Sequence, residues 1–163
     1  MNLLFNINIK DFLSKVAMCI IVLTWLGTFF NIKKYKSHNV IENDIVSYYA
    51  YIPAVFMEHD LSLKFLDDHT KEHSGRYWPE TAPNGGRVIK TTMGMALMYL
   101  PFFALGHSVA ILSDEPTTGY SKPYYFFLCF GTLLYSFIGL ILLRKLLLKW
   151  FADGITALTL IAV

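Results

Sequence analysis

An acidic residue at the start of an aromatic-rich segment is the strongest candidate for catalysis. Asp44 is followed by Tyr48 and Tyr51, and the apolar and aromatic residues of 44–58 recur every three to four positions, which predicts a helix. A carboxylate held there is suited to accept a proton from a hydroxyl group as a general base. Asp is also favoured as a helix N-cap, where the helix dipole stabilises negative charge. The spacing favours the cap, and the two roles are compatible.

Three basic residues bracket a second polar stretch. Arg76 precedes the sequence Ala-Pro-Asn-Gly-Gly, and Arg87 and Lys90 follow it; Asn-Gly between two such arms predicts a hairpin turn. Cations ahead of a helix are suited to bind phosphate, and they equally suit anchoring to lipid headgroups. Trp78 is suited to stacking on a sugar ring, as are the tyrosines after Asp44. The aromatic belt of a membrane protein is the simpler interpretation of each of these rings.

Histidines raise two further possibilities. His59 and Asp60 form a polar pair suited to substrate binding, although the polar end of a helix gives the same pattern and is favoured by the spacing. His69 and His73 are four residues apart and would share one face of a helix, where two imidazoles can bind a metal ion. Their segment lacks apolar periodicity, so a solvated loop is the preferred interpretation. No metal ligands are assigned, the sequence requires no cofactor, and the need for a divalent metal is left open.

The composition is that of a membrane protein. Of the 163 residues, 55% are hydrophobic, 16% aromatic and only 16% charged, whereas about a quarter of the residues in soluble domains are charged. The net charge is +2, and no cluster of lysine and arginine is interleaved with aromatics, which argues against nucleic acid as a partner. Cys19 and Cys129 lie in apolar segments, which favours a packing role over a disulfide.

We therefore expect an all-α integral membrane fold with two complete spans and the start of a third. The apolar segments 12–32 and 124–145 are long enough to cross a bilayer. No cleavage site follows the first of them, which is typical of an uncleaved anchor. The apolar segment 155–163 is too short to cross. The chain is therefore expected to be the N-terminal part of a larger polytopic protein.

A large external loop, 33–123, is expected between the two spans. It contains the predicted helix 44–58, in which Pro53 should produce a kink or start a second helix. It also contains the hairpin and the apolar segment 92–112, for which a threonine at 91 or 92 is a plausible N-cap. Glycines, a proline and a histidine interrupt this segment. We expect it to lie along the membrane interface as a juxtamembrane helix.

Charge decides between this topology and one with three spans. The positive-inside rule places the basic cluster Arg144, Lys145 and Lys149 in the cytoplasm. With two complete spans, the N-terminus is cytoplasmic as well. If 92–112 also crossed, an N-in chain would place the basic cluster outside. The lysines of 33–36 are external in the two-span topology, which counts against it, although long loops translocate largely regardless of charge.

The order of these features resembles the N-terminal third of the GT-C fold membrane glycosyltransferases. The likeness is carried by Asn-Asp-Ile-Val-Ser-Tyr-Tyr-Ala-Tyr-Ile-Pro at 43–53, His-Asp-Leu-Ser-Leu at 59–63, and Lys-Thr-Thr-Met-Gly followed by an apolar, proline-containing stretch at 90–106. It is closest to the protein-mannosyltransferase and aminoarabinose-transferase type, found as large bacterial membrane proteins. It covers most of the chain, through short motifs.

The resemblance implies a site and a reaction. Asp44 matches the catalytic acidic residue of the first external loop, and Lys90 matches a basic residue near the donor phosphate. The donor would be a sugar on a polyprenyl phosphate, and the site would face the periplasm of a bacterial plasma membrane. This sequence departs from the family pattern, because Ile45 stands where an acidic residue often follows the first, and Thr91 stands where proline often follows the lysine.

Two other classes of function fit the same features. One is a non-catalytic polytopic subunit or scaffold whose external loop binds a partner protein. The other is a different membrane transferase that acts on polyprenyl lipids, such as a ligase. In each case the lipid bilayer is a partner, whereas the sugar, the acceptor and the oligomeric state are not specified by the sequence. The 163 residues alone are expected to be inactive.

Overall fold

The computed structural model describes residues 11–37, 39–68 and 74–163. Its helices and strands are α1 (Phe12–Ile32), α2 (Asp44–Tyr49), α3 (Tyr51–Phe56), β1 (Pro79–Thr81), β2 (Arg87–Ile89), α4 (Gly94–Leu112), α5 (Lys122–Leu147) and α6 (Asp153–Ala162). Short 3-10 helices lie at Lys34–Lys36, Lys64–Asp67 and Ser74–Arg76. The chain divides into a terminal unit, Met1–Lys33 with Thr132–Val163, and a central unit, Lys34–Gly131.

The mostly helical architecture is confirmed, and the long helices fall where the apolar segments predicted them. Helix α1 covers 12–32, and α5 extends the predicted 124–145 by two residues at each end. Helix α6 begins two residues before the predicted 155. Among the described residues, α1, α4 and α5 are each long and apolar enough to cross a membrane. The number of these helices that cross a membrane stays a prediction.

Within the terminal unit, α1 and the second half of α5 run antiparallel. The ring of Trp25 stacks on that of Phe137, with centroids 5.6 Å apart. Further along, Arg144 Nε donates a hydrogen bond to Ser14 Oγ at 2.9 Å. Ser14 precedes Trp25 in α1, whereas Arg144 follows Phe137 in α5. The N-terminus of α1 and the C-terminus of α5 therefore lie at the same end of this unit.

A carboxylate from α6 caps the first turn of α1. Asp153 accepts hydrogen bonds from the amide groups of Leu13 at 2.7 Å and Ser14 at 3.1 Å. Amides in the first turn of a helix have no acceptor within the helix, so an external carboxylate satisfies them. Its negative charge also interacts favourably with the positive end of the helix dipole. Asp11, which precedes α1, makes no side-chain cap bond and has a left-handed backbone with φ of 70°. Helix α6 packs along α1 from this cap onward.

The central unit has an aromatic core whose hydroxyl groups are hydrogen-bonded. Tyr49 is fully buried and its Oη donates to the Gly119 carbonyl at 2.6 Å. The hydroxyls of Tyr77 and Tyr120, both buried, lie 2.5 Å apart. Burial raises the pKa of Tyr77 to about 12 and the pKa values of Tyr49 and Tyr120 well above their usual range. These phenols therefore stay protonated: Tyr49 donates to Gly119, and one of the Tyr77 and Tyr120 hydroxyls donates to the other.

Helices α4 and α5 approach each other closely inside the central unit, and glycines permit it. A Cβ on Gly106 would lie 3.0 Å from the Cα of Tyr124, and a Cβ on Gly131 would overlap the Phe102 ring. His107 follows Gly106, and its Nδ1 lies 2.6 Å from Tyr124 Oη. One glycine and the histidine that interrupt the apolar segment 92–112 are therefore contact residues between the two helices.

The predicted helix 44–58 consists of two helices. Helix α2 ends at Tyr49 and α3 begins at Tyr51, and α3 ends at Phe56, two residues earlier than predicted. Pro53 lies in the first turn of α3, where a backbone N–H would have no helical partner and its absence costs little. The prediction that this proline accompanies the start of a second helix is confirmed.

Both predicted N-caps are wrong. Asp44 is the first helical residue of α2, and the residue before it, Asn43, has φ of 50° and makes no side-chain cap bond. The Asp44 carboxylate therefore lies in the first turn, where the helix dipole still favours it. Helix α4 is preceded by Met93, and the Thr91 hydroxyl is buried without a partner among the described residues. Helix α4 therefore begins without a side-chain cap, from a threonine or from Met93.

The predicted hairpin is present. Strands β1 and β2 pair antiparallel, with Pro79 opposite Ile89 and Thr81 opposite Arg87. Gly85 N–H donates to the Ala82 carbonyl at 2.8 Å, and Ala82 N–H donates to the Gly86 carbonyl at 2.7 Å. Gly85 has φ of 80°, a left-handed conformation that glycine adopts readily. The turn is therefore a three-residue loop that contains the Asn-Gly pair.

Candidate functional site

A cleft of about 270 Å³ adjoins the N-terminus of α2 in the central unit. It combines residues just before and within α2 with residues of the 3-10 helix at Ser74–Arg76 and of the segment that leads to β1. Its lining residues are Ile41, Glu42, Asn43, Val46, Gly75, Arg76 and Trp78. Asn43 directly precedes Asp44, which is exposed to solvent. The cleft lining thus includes a cation, a carboxylate and an indole, whereas Asp44, the candidate base, is not a lining residue and only follows one in the chain.

Buried neighbours hold both sides of the cleft in place. Ile41 is fully buried and Val46 is 3% exposed, so the start of α2 is fixed against the core. On the other side, Tyr77 is buried between Arg76 and Trp78, and Trp78 is 60% exposed. The Arg76 guanidinium lies 5.3 Å from the centroid of the Tyr120 ring, a cation–π contact that limits its motion.

The two other predicted cations make ion pairs within the central unit. Arg87 Nη2 lies 2.6 Å from Asp67 Oδ1, and its Nη1 donates to the Leu63 carbonyl at 3.0 Å. The hydrogen bond and charge of Asp67 raise the pKa of Arg87 above its usual value. Lys90 Nζ lies 3.4 Å from Glu80 Oε1, and both side chains are mostly exposed. The structure brings neither cation into the cleft lining.

Tyr51 supports the polypeptide around Lys90 and contributes nothing to the cleft lining. Its Oη lies 3.2 Å from the Ile89 carbonyl and 3.0 Å from the Thr91 carbonyl, so α3 holds the end of β2 on both sides of the lysine. Tyr48 is half-buried on α2. The predicted stacking of these tyrosines on a sugar gains no support from their positions, whereas Trp78 presents an exposed ring at the cleft.

The polar pair His59 and Asp60 belongs to a turn after α3. His59 is exposed and has φ of 52°. The Asp60 carboxylate accepts hydrogen bonds from the hydroxyl and amide of Ser62 and from the amides of Lys64 and Phe65. The hydroxyl of Ser62, followed by these amides, lowers the pKa of Asp60. The preferred interpretation of this pair, a polar segment that ends a helix, agrees with the geometry.

No metal site emerges from the part of the chain that the structure describes. Within residues 11–37, 39–68 and 74–163, no group of three or more His, Cys, Asp or Glu side chains is placed to hold an ion. The predicted pair His69 and His73 lies outside the described residues.

Two residues of the cleft were missed by the sequence reasoning. Glu42 lines the cleft directly, although Asp44 was singled out as the carboxylate of this segment. Asn43 also lines it and was considered only as a family motif residue. Both lie just before the predicted helix 44–58, so the helical prediction gave no reason to orient them. Their closeness to Asp44 in sequence was the one usable signal.

Comparison with known proteins adds no assignment to this geometry. No protein-family model, no functionally characterised protein and no solved structure matches the chain. The function is therefore argued from the residues and the cleft.

Proposed function

We propose that this chain is a membrane glycosyltransferase, or part of one, that transfers a sugar from a polyprenyl-phosphate donor to an acceptor on the external face. The observation that carries the proposal is the cleft beside Asp44. It offers an exposed indole suited to a sugar ring, a guanidinium suited to a phosphate and the carboxylate of Glu42, and Asp44 directly follows its lining residue Asn43. The resemblance to GT-C transferases rests in part on the stretch 43–53, which contributes Asn43 and Val46 to the cleft.

The proposed reaction is a single displacement. The acceptor hydroxyl oxygen attacks the anomeric carbon of the sugar while its proton passes to the Asp44 carboxylate. The bond between the anomeric carbon and the phosphate oxygen breaks, and its electron pair leaves with the polyprenyl phosphate. Arg76 stabilises the negative charge that develops on the leaving phosphate. The configuration at the anomeric carbon is inverted because one displacement occurs.

The terminal unit supports the topology that this proposal needs. Arg144, near the C-terminus of α5, contacts Ser14 near the N-terminus of α1, so these two ends share one side if both helices cross. The positive-inside rule makes that side cytoplasmic. The segment between the two helices then begins and ends on the opposite, external side, in the plasma membrane of a bacterium. Helix α4 accordingly makes no net crossing.

Single cysteines introduced at Ser37 and Ser113, in a chain whose Cys19 and Cys129 are replaced by serine, test this topology. Ser37 lies near the start of the central unit, and Ser113 directly follows α4. Both are expected to react with a membrane-impermeant maleimide added from outside. Labelling after membrane disruption serves as the control for reactivity. If only one position reacts from outside, α4 crosses the bilayer and the proposed external location of the cleft is wrong.

Transfer of a labelled sugar from a polyprenyl-phosphate donor is the test of function, measured in the complete reading frame that contains these residues. Asp44→Asn should reduce transfer by about 100-fold or more, since general acid–base catalysis contributes about 10² to 10⁴. Glu42→Gln is the matched control, because it removes the other carboxylate of the same cleft. A large loss in Glu42→Gln together with normal transfer in Asp44→Asn would assign the base to Glu42 and contradict the role of Asp44.

One observation favours the non-catalytic alternative. Arg87, Lys90 and Asp60 were candidate binding residues, and each is engaged in contacts within the central unit. A scaffold would need such contacts and no catalytic carboxylate. Normal membrane insertion without detectable transfer by the unmodified complete protein would favour the scaffold. Unchanged transfer in a double variant, Asp44→Asn with Glu42→Gln, would instead remove both carboxylates from the mechanism.

A further inference from the structure

An apolar groove of about 440 Å³ lies in the central unit, apart from the Asp44 cleft. It is formed where α4 ends, α5 begins and the 3-10 helix at Lys34–Lys36 passes, and its lining residues are Tyr35, Lys36, Val109, Ser113, Glu115, Lys122, Pro123, Phe126 and Phe127. The rings of Tyr35 and Phe126 meet edge to face, with centroids 5.1 Å apart. The groove is open, so a long hydrocarbon chain can enter it from the side.

A polar cavity of about 200 Å³ adjoins this groove. Glu115 and Lys122 line both, so the two spaces meet at these side chains. The cavity is also lined by Arg76 and Ser121, and the Ser121 hydroxyl oxygen is buried without a partner among the described residues. A buried hydroxyl without a partner costs free energy unless a ligand or water bonds to it.

The charge of the combined lining suits an anion. Arg76, Lys36 and Lys122 contribute three positive charges, against one negative charge from Glu115. Lys122 Nζ and Glu115 Oε1 are 3.8 Å apart, and the lysine side chain is 71% exposed. A pair this loose leaves the ammonium able to contact a second anion. The groove therefore offers an apolar wall for a chain next to a net positive site for a headgroup.

We propose that the groove and the cavity bind one glycerophospholipid of the bilayer that has an anionic headgroup. An acyl chain lies along Val109 and Phe126, and the phosphate contacts Lys122 and the Ser121 hydroxyl. The proposal rests on membrane insertion of α5. Insertion would place the aromatic rings and lysines around the start of α5 at the depth where lipid phosphates lie. It does not depend on sugar transfer, although Arg76 lines both the cavity and the Asp44 cleft.

Native mass spectrometry of the purified full chain in detergent tests the proposal, with phosphatidylglycerol and phosphatidylcholine as probes. One phosphatidylglycerol should be retained in preference to phosphatidylcholine. Lys122→Gln should weaken that retention about fivefold, since one lysine near an anionic surface contributes about 1 kcal/mol. Lys64→Gln, which removes an exposed lysine from the same unit outside the groove, is the matched control and should change nothing.

A second variant tests the apolar part without removing any core residue. Val109 is 38% exposed and faces the groove, so Val109→Trp should fill it and abolish retention of phosphatidylglycerol while the folded chain persists. The circular dichroism melt of the variant verifies folding. If Val109→Trp unfolds the chain, the Lys122→Gln result decides alone.

Three results would overturn the proposal. Equal retention of both phospholipids, unaffected by Lys122→Gln, would show nonspecific lipid contact. Displacement of phosphatidylglycerol by millimolar inorganic phosphate would show a phosphate site without a role for the groove. Selective retention of undecaprenyl phosphate, with neither phospholipid retained, would assign the groove to a donor lipid.

Discussion

The two units of this chain are stabilised by different means. The central unit surrounds a core of buried aromatic rings whose hydroxyl groups are paired, such as Tyr49 with Gly119. The terminal unit leaves most of its apolar surface exposed, and the hydrogen bonds described between its helices join Ser14 to Arg144 and Asp153 at one end. In the most apolar stretch of α1 only 11% of the residues are buried, against 28% in α4.

This difference is the one expected if the terminal unit lies in lipid and the central unit outside the bilayer, as we propose. Between helices in lipid there is little hydrophobic driving force, because the lipid chains are as apolar as the side chains. Helix caps and polar contacts at the ends then specify which helices associate. A unit outside the bilayer is stabilised by removing apolar surface from water, and the buried core of the central unit meets that requirement. Substrate recognition is expected in the central unit, which has the clefts.

The largest expected effect is the loss of the central core. Tyr49→Ala removes a fully buried ring and leaves the Gly119 carbonyl without its donor, and should lower the free energy of unfolding of the central unit by about 3–5 kcal/mol. Hydrogen exchange read by mass spectrometry should show faster exchange across residues 39–68 and 74–131. Amides of α1 and α6 should keep their protection, because they do not rely on this core.

Trp78→Ala is the control for that experiment. Trp78 is equally aromatic but 60% exposed, so its removal should leave exchange in the central unit unchanged. Simultaneous loss of protection in α1 and α6 upon Tyr49→Ala would show that the two units unfold as one and would end the distinction between them.

Next in size is the effect of filling the contact between α4 and α5. Gly106→Ala should cost about 1–3 kcal/mol, because the new methyl group would lie 3.0 Å from backbone of Tyr124, which cannot rotate away. Gly139→Ala, in the part of α5 that belongs to the terminal unit, has no atom within 4 Å and should be neutral or stabilising. Thermal unfolding in detergent measures both. Equal melting temperatures would contradict the close contact.

The cap in the terminal unit should give a pH-dependent effect. The Ser14 side chain, the amides of Ser14 and Leu13, and Arg144 lower the pKa of Asp153. Because this folded pKa lies below the unfolded value of about 3.9, the ionised cap stabilises at neutral pH and the stabilisation is lost as pH falls through the folded pKa. The melting temperature of wild type should exceed that of Asp153→Asn at pH 7 and approach it near pH 3.

Exchange rates identify the location of that effect. The amides in the first turn of α1 should exchange faster in Asp153→Asn than in wild type at pH 7, while the central unit is unchanged. A difference in melting temperature that stays constant between pH 7 and pH 3 would show that the carboxylate charge does not cap α1.

The smallest expected effect concerns Thr91. Its hydroxyl is buried without a partner among the described residues, so Thr91→Val, which has nearly the same shape, should raise the free energy of unfolding by about 1 kcal/mol. Thr92→Val is the control, since Thr92 is exposed. A lower melting temperature in Thr91→Val alone would mean that the hydroxyl has a partner in solution, which would sharpen the account of how α4 begins.

Sequence reasoning succeeded where one local rule decides. Apolar length located α1 and α5, Asn-Gly located the hairpin, and Pro53 located the start of α3. It failed at both helix caps, because the residue that begins a helix depends on how the preceding loop approaches it. For Arg76, Arg87 and Lys90 it left phosphate binding and headgroup anchoring equally open, and the structure adds that two of the three form ion pairs.

By itself, therefore, the sequence determined the helices, their apolar character and the segment in which the candidate carboxylate lies, because these follow from residue type and short-range spacing. Only the tertiary structure decided which residues share a cavity. Glu42 and Trp78 line one cleft, and Ser14 and Asp153 meet at one helix end, across separations that no local pattern specifies. Such contacts result from tertiary packing, in which each side chain is oriented by the residues that it packs against.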